Sequence, residues 1–349
     1  MSRWRLDWPW PAGGEPVGTG TLKSCAEDFQ VTEILDLEGV AAASRTEVLT
    51  EAVPVPGQGE HLLIYLEKTG DNTVWVAGEL GRLAGCGSRG VGYCGLKDRN
   101  AVTRQWFSVQ RPGQETSDTD FLLALQNQHD NWKVLAVARY HRKLRNGEHQ
   151  ANRFDIRLRQ LTGDTGEIQQ CLEALQRDGC PNYFGRQRFG YQGANLDQAV
   201  APAEKSARRR RGRRGMDKQE GIYFSAARSW LFNEVLAERV VRGDWNQPLQ
   251  GEPGEQPTGP LWGDGGTLAT GEQGELERTV VARYPEMAAV FSTTRMSPAR
   301  RPLVLHADEL HWSISEAVEQ RWLDLSFTLL PGQYATTLLA SVLDLGSSE

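Results

Sequence analysis

The stretch V-G-Y-C-G-L-K-D-R-N-A-V-T-R-Q-W, residues 91–106, sets one carboxylate between two cations: Lys97, Asp98 and Arg99 follow an apolar lead that ends at Gly95. Neighbouring positive charge favours the ionised acid, so Asp98 is expected to be a carboxylate at neutral pH, able to serve as nucleophile or base rather than as acid. The same three residues also suit a turn or helix cap with solvated basic neighbours, and the pattern by itself leans towards that structural use.

A second constellation, R-Y-H-R-K-L-R-N-G-E-H-Q-A-N-R-F at 139–154, interleaves cations with Tyr140, His141, His149 and Phe154. Such interleaving suits an unstacked nucleotide: Arg142, Lys143 and Arg145 would meet phosphates, an aromatic face would stack a base, and the Asn152 amide would pair with an edge of uracil. An amphipathic edge strand with a solvated basic face fits the pattern equally well. A third, P-N-Y-F-G-R-Q-R-F-G at 181–190, is too rich in Gly, aromatics and Arg for routine helix or strand. It reads first as a structural turn with aromatics packed between glycines, and second as a loop contacting RNA. No G-x-x-x-x-G-K-[ST] loop, H-E-x-x-H, G-x-S-x-G elbow or G-x-G-x-x-G turn is found, which disfavours nucleotide hydrolysis, metalloprotease, serine-esterase and dinucleotide redox chemistry. A cofactor-free reaction on a bound substrate remains.

These residues need elements to hold them. Residues 29–33, 154–158 and 323–329 alternate apolar and polar side chains, as half-buried strands do. Further strands are expected at 62–66, 102–109 and 132–140. Helices are expected at 72–84, with Val76, Leu80 and Leu83 on one face before Gly85, and at 165–178, with Ile168, Leu172 and Leu175 on one face before Gly179. Two more are expected at 225–242 and 335–343. Strands polar on one side favour an antiparallel or mixed sheet, hence an α+β class. Residues 247–274, rich in Gly and Pro, are too long for an ordinary connection and read as an irregular or mobile insertion, and truncating the acidic stretch 244–277 around it is expected to leave catalysis intact.

With 349 residues, two domains are the default expectation. No apolar stretch approaches the roughly 20 residues that cross a bilayer, and the start lacks an apolar signal region, so a cytoplasmic protein without a membrane partner is expected. The five cysteines are scattered, with no C-x-x-C pair or His at ligand spacing, so neither disulfides nor a metal site are expected. A net charge of -6 argues against a polyanionic partner only on average. Residues 139–159 carry seven basic side chains against two acidic, and Arg208, Arg209, Arg210, Arg211, Arg213 and Arg214 form a second cluster; 244–277 holds seven acids and no Lys or Arg. Concentrated basic stripes can bind RNA locally while other faces repel it; the arginine run fits a solvated loop surface equally well.

Taken in order, these motifs resemble the TruD family of tRNA pseudouridine synthases. The family's catalytic pattern G-x-K-D-x-x-A-x-T-x-Q is met by Gly95, Lys97, Asp98, Ala101, Thr103 and Gln105. The similarity continues through E-D-F at 27–29, R-K-L-R-x-G at 142–147, N-x-F at 152–154, N-Y-F-G-x-Q-R-F-G at 182–190, S-A-A-R-S at 225–229 and L-P-G-x-[FY]-A-T at 330–336. The resemblance implies a pseudouridine-synthase fold with a central mixed or antiparallel sheet, made by residues 1–177 and 304–349. An inserted α/β TRUD domain would occupy 178–303. It implies Asp98 as the catalytic carboxylate and uridine-binding roles for Phe29, Asn152 and Tyr334; Phe154, Lys97, Arg142, Lys143 and Arg145 are expected to bind substrate as well. The chain departs from the family at Ala151, often Gly, and at Tyr334, often Phe, a change that preserves stacking. A monomer acting on tRNA, without cofactor or metal, is expected, with uridine 13 of glutamate tRNA as its target. Two rivals stay open: a binding-only RNA chaperone, which would not require Asp98, and a nucleoside glycosidase, which usually deploys two carboxylates where only one is evident here.

Overall fold

The computed structural model describes residues 2–11, 15–37, 40, 55–206, 218–292, 294, 296–317 and 320–347. The arginine run at 208–214 lies outside the described residues. Contacts divide the chain into two units: 18–163 with 307–332 and 345–349, and 1–17 with 164–306 and 333–344. The lines drawn by contacts thus place the first 17 residues, the helix after 163 and a short segment past 332 with the inserted unit.

The first unit is built on a sheet. Its strands are β1 (Thr19–Leu22), β2 (Phe29–Ile34), β3 (His61–Thr69), β4 (Val91–Tyr93), β5 (Val102–Gln110), β6 (Trp132–Tyr140) and β7 (Ala151–Arg159), with helices α1 (Thr73–Leu83) and α2 (Asp118–Gln128). The second unit follows with α3 (Thr165–Asp178), β8 (Cys180–Pro181), α4 (Ala194–Ser206), α5 (Lys218–Arg242), β9 (Thr258–Leu261), α6 (Gly271–Ala282), α7 (Pro285–Phe291), β10 (Ala299–Pro302) and β11 (Val304–Leu305). The chain returns to the sheet with β12 (Asp308–Ala317) and β13 (Gln320–Leu329), and α8 (Ala335–Ala340) belongs to the second unit.

The sheet runs β12-β13-β7-β2-β5-β3-β6. Every neighbouring pair on that path is antiparallel except β2 with β5. The class is α+β, with a mixed sheet. Paired residues share a face, so the register places Phe29, Val31 and Glu33 on the same side as Ile156, Phe154 and Asn152. At the β3-β5-β6 end that face is covered by α1 and α2, whose Val76, Ala77, Leu80, Phe121, Leu122 and Leu125 close over Leu62, Ile64, Leu66, Phe107 and Val109. Helix α1 begins where expected because Asn72 caps it, accepting a hydrogen bond from the Trp75 amide at 2.9 Å.

The second unit is mainly helical. Its core centres on α5, where Ala226, Ala227, Trp230, Leu231 and Phe232 are buried with Phe189, Met287 and Phe291; the larger side chains, such as Leu231, Phe232 and Met287, each contribute about 1.5–3 kcal/mol by leaving water. The 181–190 motif is the structural turn anticipated: Tyr183, Phe184 and Phe189 are buried, and Asn233 bonds both the amide and the carbonyl of Phe184 at 2.9 Å.

The stretch 247–274 corrects its reading as an irregular or mobile insertion. It contains β9, paired with β10, and leads into α6. Glu252 and Gln273, both within it, bind the buried Arg239 guanidinium, at 3.1 and 2.7 Å. Local composition gave no sign of this, because the ordering partner lies in α5. Excising the stretch would take Glu252 and Gln273 from the buried Arg239, so a loss of stability is expected. Helix α8 is also shorter than expected, ending at Ala340.

Candidate active site

The segment after β4 crosses to β5 through a turn pinned from several sides. The Lys97 amide donates to Thr73 Oγ1 (2.9 Å), Thr73 Oγ1 donates to Gln105 Oε1 (2.8 Å), and Gln105 Nε2 donates to the Gly95 carbonyl (3.1 Å). Thr73 opens α1, so the helix start and the turn hold one another. On the far side of Asp98, Arg99 Nε donates to the Gly70 carbonyl (2.8 Å) and the Gly70 amide to the Arg99 carbonyl (3.1 Å).

This scaffold presents Asp98 outward, with 58% of its side chain exposed, while Lys97 beside it is buried. The Lys97 ammonium pairs with Glu33 at 2.8 Å, and Glu33 also accepts the Trp106 amide at 3.2 Å. A fully buried carboxylate is tolerable only with such partners. Glu33 lies opposite Asn152 across β2 and β7. Asp98 itself is paired at 2.7 Å with Lys23, whose ammonium sits 4.3 Å from the centre of the Phe29 ring. Phe29 meets Phe154 edge-on at 6.1 Å, and Phe154 stacks on Phe327 at 5.4 Å. Contacts therefore link Asn152, Glu33, Lys97, Asp98, Lys23, Phe29 and Phe154 within one unit.

Among the described residues, three buried polar atoms around this group have no hydrogen-bond partner: Thr103 Oγ1, His149 Nδ1 and Asn152 Oδ1. Burial first, and then the nearby Lys97 charge, hold the His149 imidazole towards its neutral form. Lys68 is fully buried, and its ammonium donates to the carbonyls of Asp71 (2.6 Å) and Asp98 (3.4 Å). Burial and repulsion from Lys97 push it down to about 8, against the opposing pull of Asp71 and Asp98.

The 139–154 motif is brought beside the same turn. The Gly147 amide donates to the Cys94 carbonyl (2.7 Å) and the Leu144 amide to Ser108 Oγ (2.9 Å). Gly92 permits the approach, since a Cβ there would fall 2.4 Å from the Leu144 carbonyl oxygen. Arg142 is bound by Glu148 at 2.6 Å, Lys143 donates to the Arg89 carbonyl at 2.7 Å, and Arg145 is exposed. Tyr334 lies in the other unit, half-buried and 6.4 Å from Phe184. A depression of about 500 Å³, lined by Gln30, Asp155, Arg157, His311, Asp324 and neighbours, opens on the other face of the sheet, and its Arg157 and Arg159 are already held by Asp324 and Asp28. It contains none of the linked residues apart from strand backbone neighbours.

With this geometry in place, comparison with known proteins is decisive. The family model of tRNA pseudouridine synthase D (TruD) matches residues 13–197 and 254–342. The chain belongs to the TruD family. It is 53% identical over 355 residues to the tRNA pseudouridine synthase D of Marinobacter nauticus, spanning 99% of this chain and 96% of that protein. The namesake of Pseudomonas syringae pv. syringae is 39% identical over 362 residues, spanning 96% and 94% respectively. A crystal structure described as TruD from Methanosarcina mazei shares the fold, with a TM-score of 0.64 at 16% identity over 98% of this chain and 95% of that one.

Set against the family motifs, Asp98, Lys97, Phe29, Asn152 and Phe154 come together in the sheet unit. Sequence reasoning passed over Lys23, Glu33 and Lys68. For two of these a signal existed: Glu33 stands in phase with Phe29 and Val31, and Lys68 in phase with Leu62, Ile64 and Leu66. A charge in the apolar phase of a strand needs a buried partner. Lys23 offered no such sign.

Proposed function

We propose that this TruD-family isomerase converts a uridine of tRNA, uridine 13 of glutamate tRNA, to pseudouridine, acting in the cytoplasm as a monomer, with Asp98 as the catalytic carboxylate. The observation that carries the reading is an outward carboxylate on a pinned turn, in contact through its neighbours with Phe29 and with an Asn152 whose buried Oδ1 has no partner. Such an acceptor suits an N–H on the edge of uracil.

The reaction breaks N1–C1′, turns the base and forms C5–C1′; the hydrogen at C5 leaves to solvent and N1 gains one. No redox change or external group is involved. Asp98 begins the sequence by attacking C1′ or by removing a proton from C2′. The uridine leaves its stack at a cost of about a few kcal/mol, offset by contacts to Phe29 and Asn152, with Tyr334 assigned a stacking role by the family motif. The 142–145 segment meets the tRNA backbone by charge and shape. The supporting roles of Lys97 and Phe154 are to hold Asp98 and Phe29 from behind. Glu33, the second carboxylate of the cluster, is buried and paired, which weighs against a two-carboxylate glycosidase.

The test is to treat unmodified tRNA transcripts with purified protein and map pseudouridine by chemical labelling and sequencing. A single new pseudouridine at position 13 of glutamate tRNA is expected. Modification confined to another site would remove that target, and free uracil without pseudouridine would favour the glycosidase.

A further inference from the structure

We propose that Lys68 is a positioning residue for Asp98, a buried cation that ties the catalytic turn to the start of α1 by holding the carbonyls of Asp98 and Asp71 together. The inference rests on the reading of Asp98 as the catalytic carboxylate. Lys68 stands near the end of β3, opposite Thr103 of β5 and Trp132 of β6. Its side chain is wholly shielded from solvent and points with the apolar phase of the strand. The charged groups that face it are Asp71, Lys97 and Asp98. Glu67, next in the chain, points to the other face and is engaged by Arg104 and Lys133.

Burying an ammonium against two main-chain carbonyls is an expensive way to join two loops, and a neutral side chain would serve packing alone. What the charge adds is direction. A cation beneath the Asp98 main chain favours negative charge at the turn above it, and charge-assisted bonds to the Asp71 and Asp98 carbonyls restrain the main chain that carries the Asp98 side chain. The Gly70 and Arg99 bonds restrain the same turn from the side. Removing the charge should leave Asp98 present but less well aimed, a loss in the chemical step more than in tRNA binding.

Because the folded group lies near 8 and its ordinary value is 10.5, it loses its proton within the range where the protein can be assayed. The rate should fall as pH rises through about 8. Stability should move the other way: between about 8 and 10.5 the unfolded chain binds the proton that the folded one has released, so this group's contribution to stability rises with pH. A declining rate with undiminished stability separates positioning from unfolding.

The experiment measures single-turnover tritium release from C5-labelled tRNA at pH 6.5–9.5 for wild type, Lys68→Met and Lys68→Gln, with filter binding of the same tRNA and [13Cε]-lysine NMR of the wild type. Expected are rates lowered by about 30-fold in both variants at neutral pH with affinity within about threefold, and an alkaline decline in wild type that both variants lack. Rates within about threefold of wild type, or variants that keep the same decline, would overturn the proposal while leaving Asp98's role intact. If the variants do not fold, the wild type decides: the rate must fall with the Lys68 resonance, and a rate flat through that titration overturns the proposal. No release by wild type from any tRNA would instead remove the parent reading.

Discussion

In the inserted unit Arg239 is wholly buried, and each of its five N–H groups is used: on Asp244 Oδ1, the Asp244 and Gln247 carbonyls, Glu252 and Gln273. Its partners are themselves satisfied, Glu252 by the Thr258 amide at 2.6 Å and Gln273 by Glu277 at 2.6 Å. In the sheet unit the charges around Asp98 are arranged otherwise. Lys97 and Glu33 pair below the surface, but Asp98 faces solvent, Lys68 holds two main-chain carbonyls, and among the described residues Thr103, His149 and Asn152 each keep a buried polar atom without a hydrogen-bond partner. A cluster that serves stability closes on itself; one that serves chemistry leaves bonds to be made by something that arrives.

The contrast breaks most visibly if the two clusters respond alike to loss of a charge. Arg239→Met leaves the buried Glu252 without its cation, although Asp244 keeps Arg242, so unfolding stability in urea should fall by about 3–5 kcal/mol, while the protein that remains folded retains its turnover. Asp98→Asn should do the reverse, with no measurable turnover and a midpoint unchanged within experimental scatter. Glu33→Gln sharpens the comparison because it touches both properties: it uncovers the buried Lys97 charge, and should cost about 2–4 kcal/mol by the same denaturation together with a slower chemical step. Asn152→Ala should lower the single-turnover rate by about 10–100-fold and leave stability unchanged or slightly raised, since it removes an unpaired acceptor. A fall in stability of more than about 1 kcal/mol would show Asn152 to be structural. Gly92→Ala is expected to be mildest in rate, forcing the 142–147 loop off β4; it should weaken tRNA binding in a filter assay by about several-fold, and more at low salt than at high, because a variant with fewer phosphate contacts has the shallower salt dependence.

What could be read from the chain follows the same division. Strands with one apolar phase, such as β2, β7 and β13, announced themselves, as did α1 and α3 with their caps. The strand β12 was passed over although Leu310, Trp312 and Ile314 alternate with Glu309, His311 and Ser313; at the sheet's edge only Leu310 of these is fully buried. The parallel pairing of β2 with β5 has no local signature, since it joins segments about seventy residues apart. The order of 247–274 was illegible for a similar reason: it depends on one arginine in α5. Asp98 was found through its motif and neighbours, whereas Lys23, which reaches it across 75 positions, stands in an unremarkable T-L-K-S context. Glu33 and Lys68 were visible as charges in apolar phase, but only the fold shows that they converge on one turn.

The central claim is that the open cluster performs pseudouridylation through Asp98. It is tested most directly by counting tritium released to water from tRNA transcript labelled at C5 of uridine, incubated with wild type and with Asp98→Ala, each first shown to bind that tRNA. The account predicts release by the wild type, stoichiometric with one uridine per tRNA, and none above background by the variant. Release by both proteins at comparable rates would contradict the assignment of Asp98, and release by neither would contradict pseudouridylation of that tRNA.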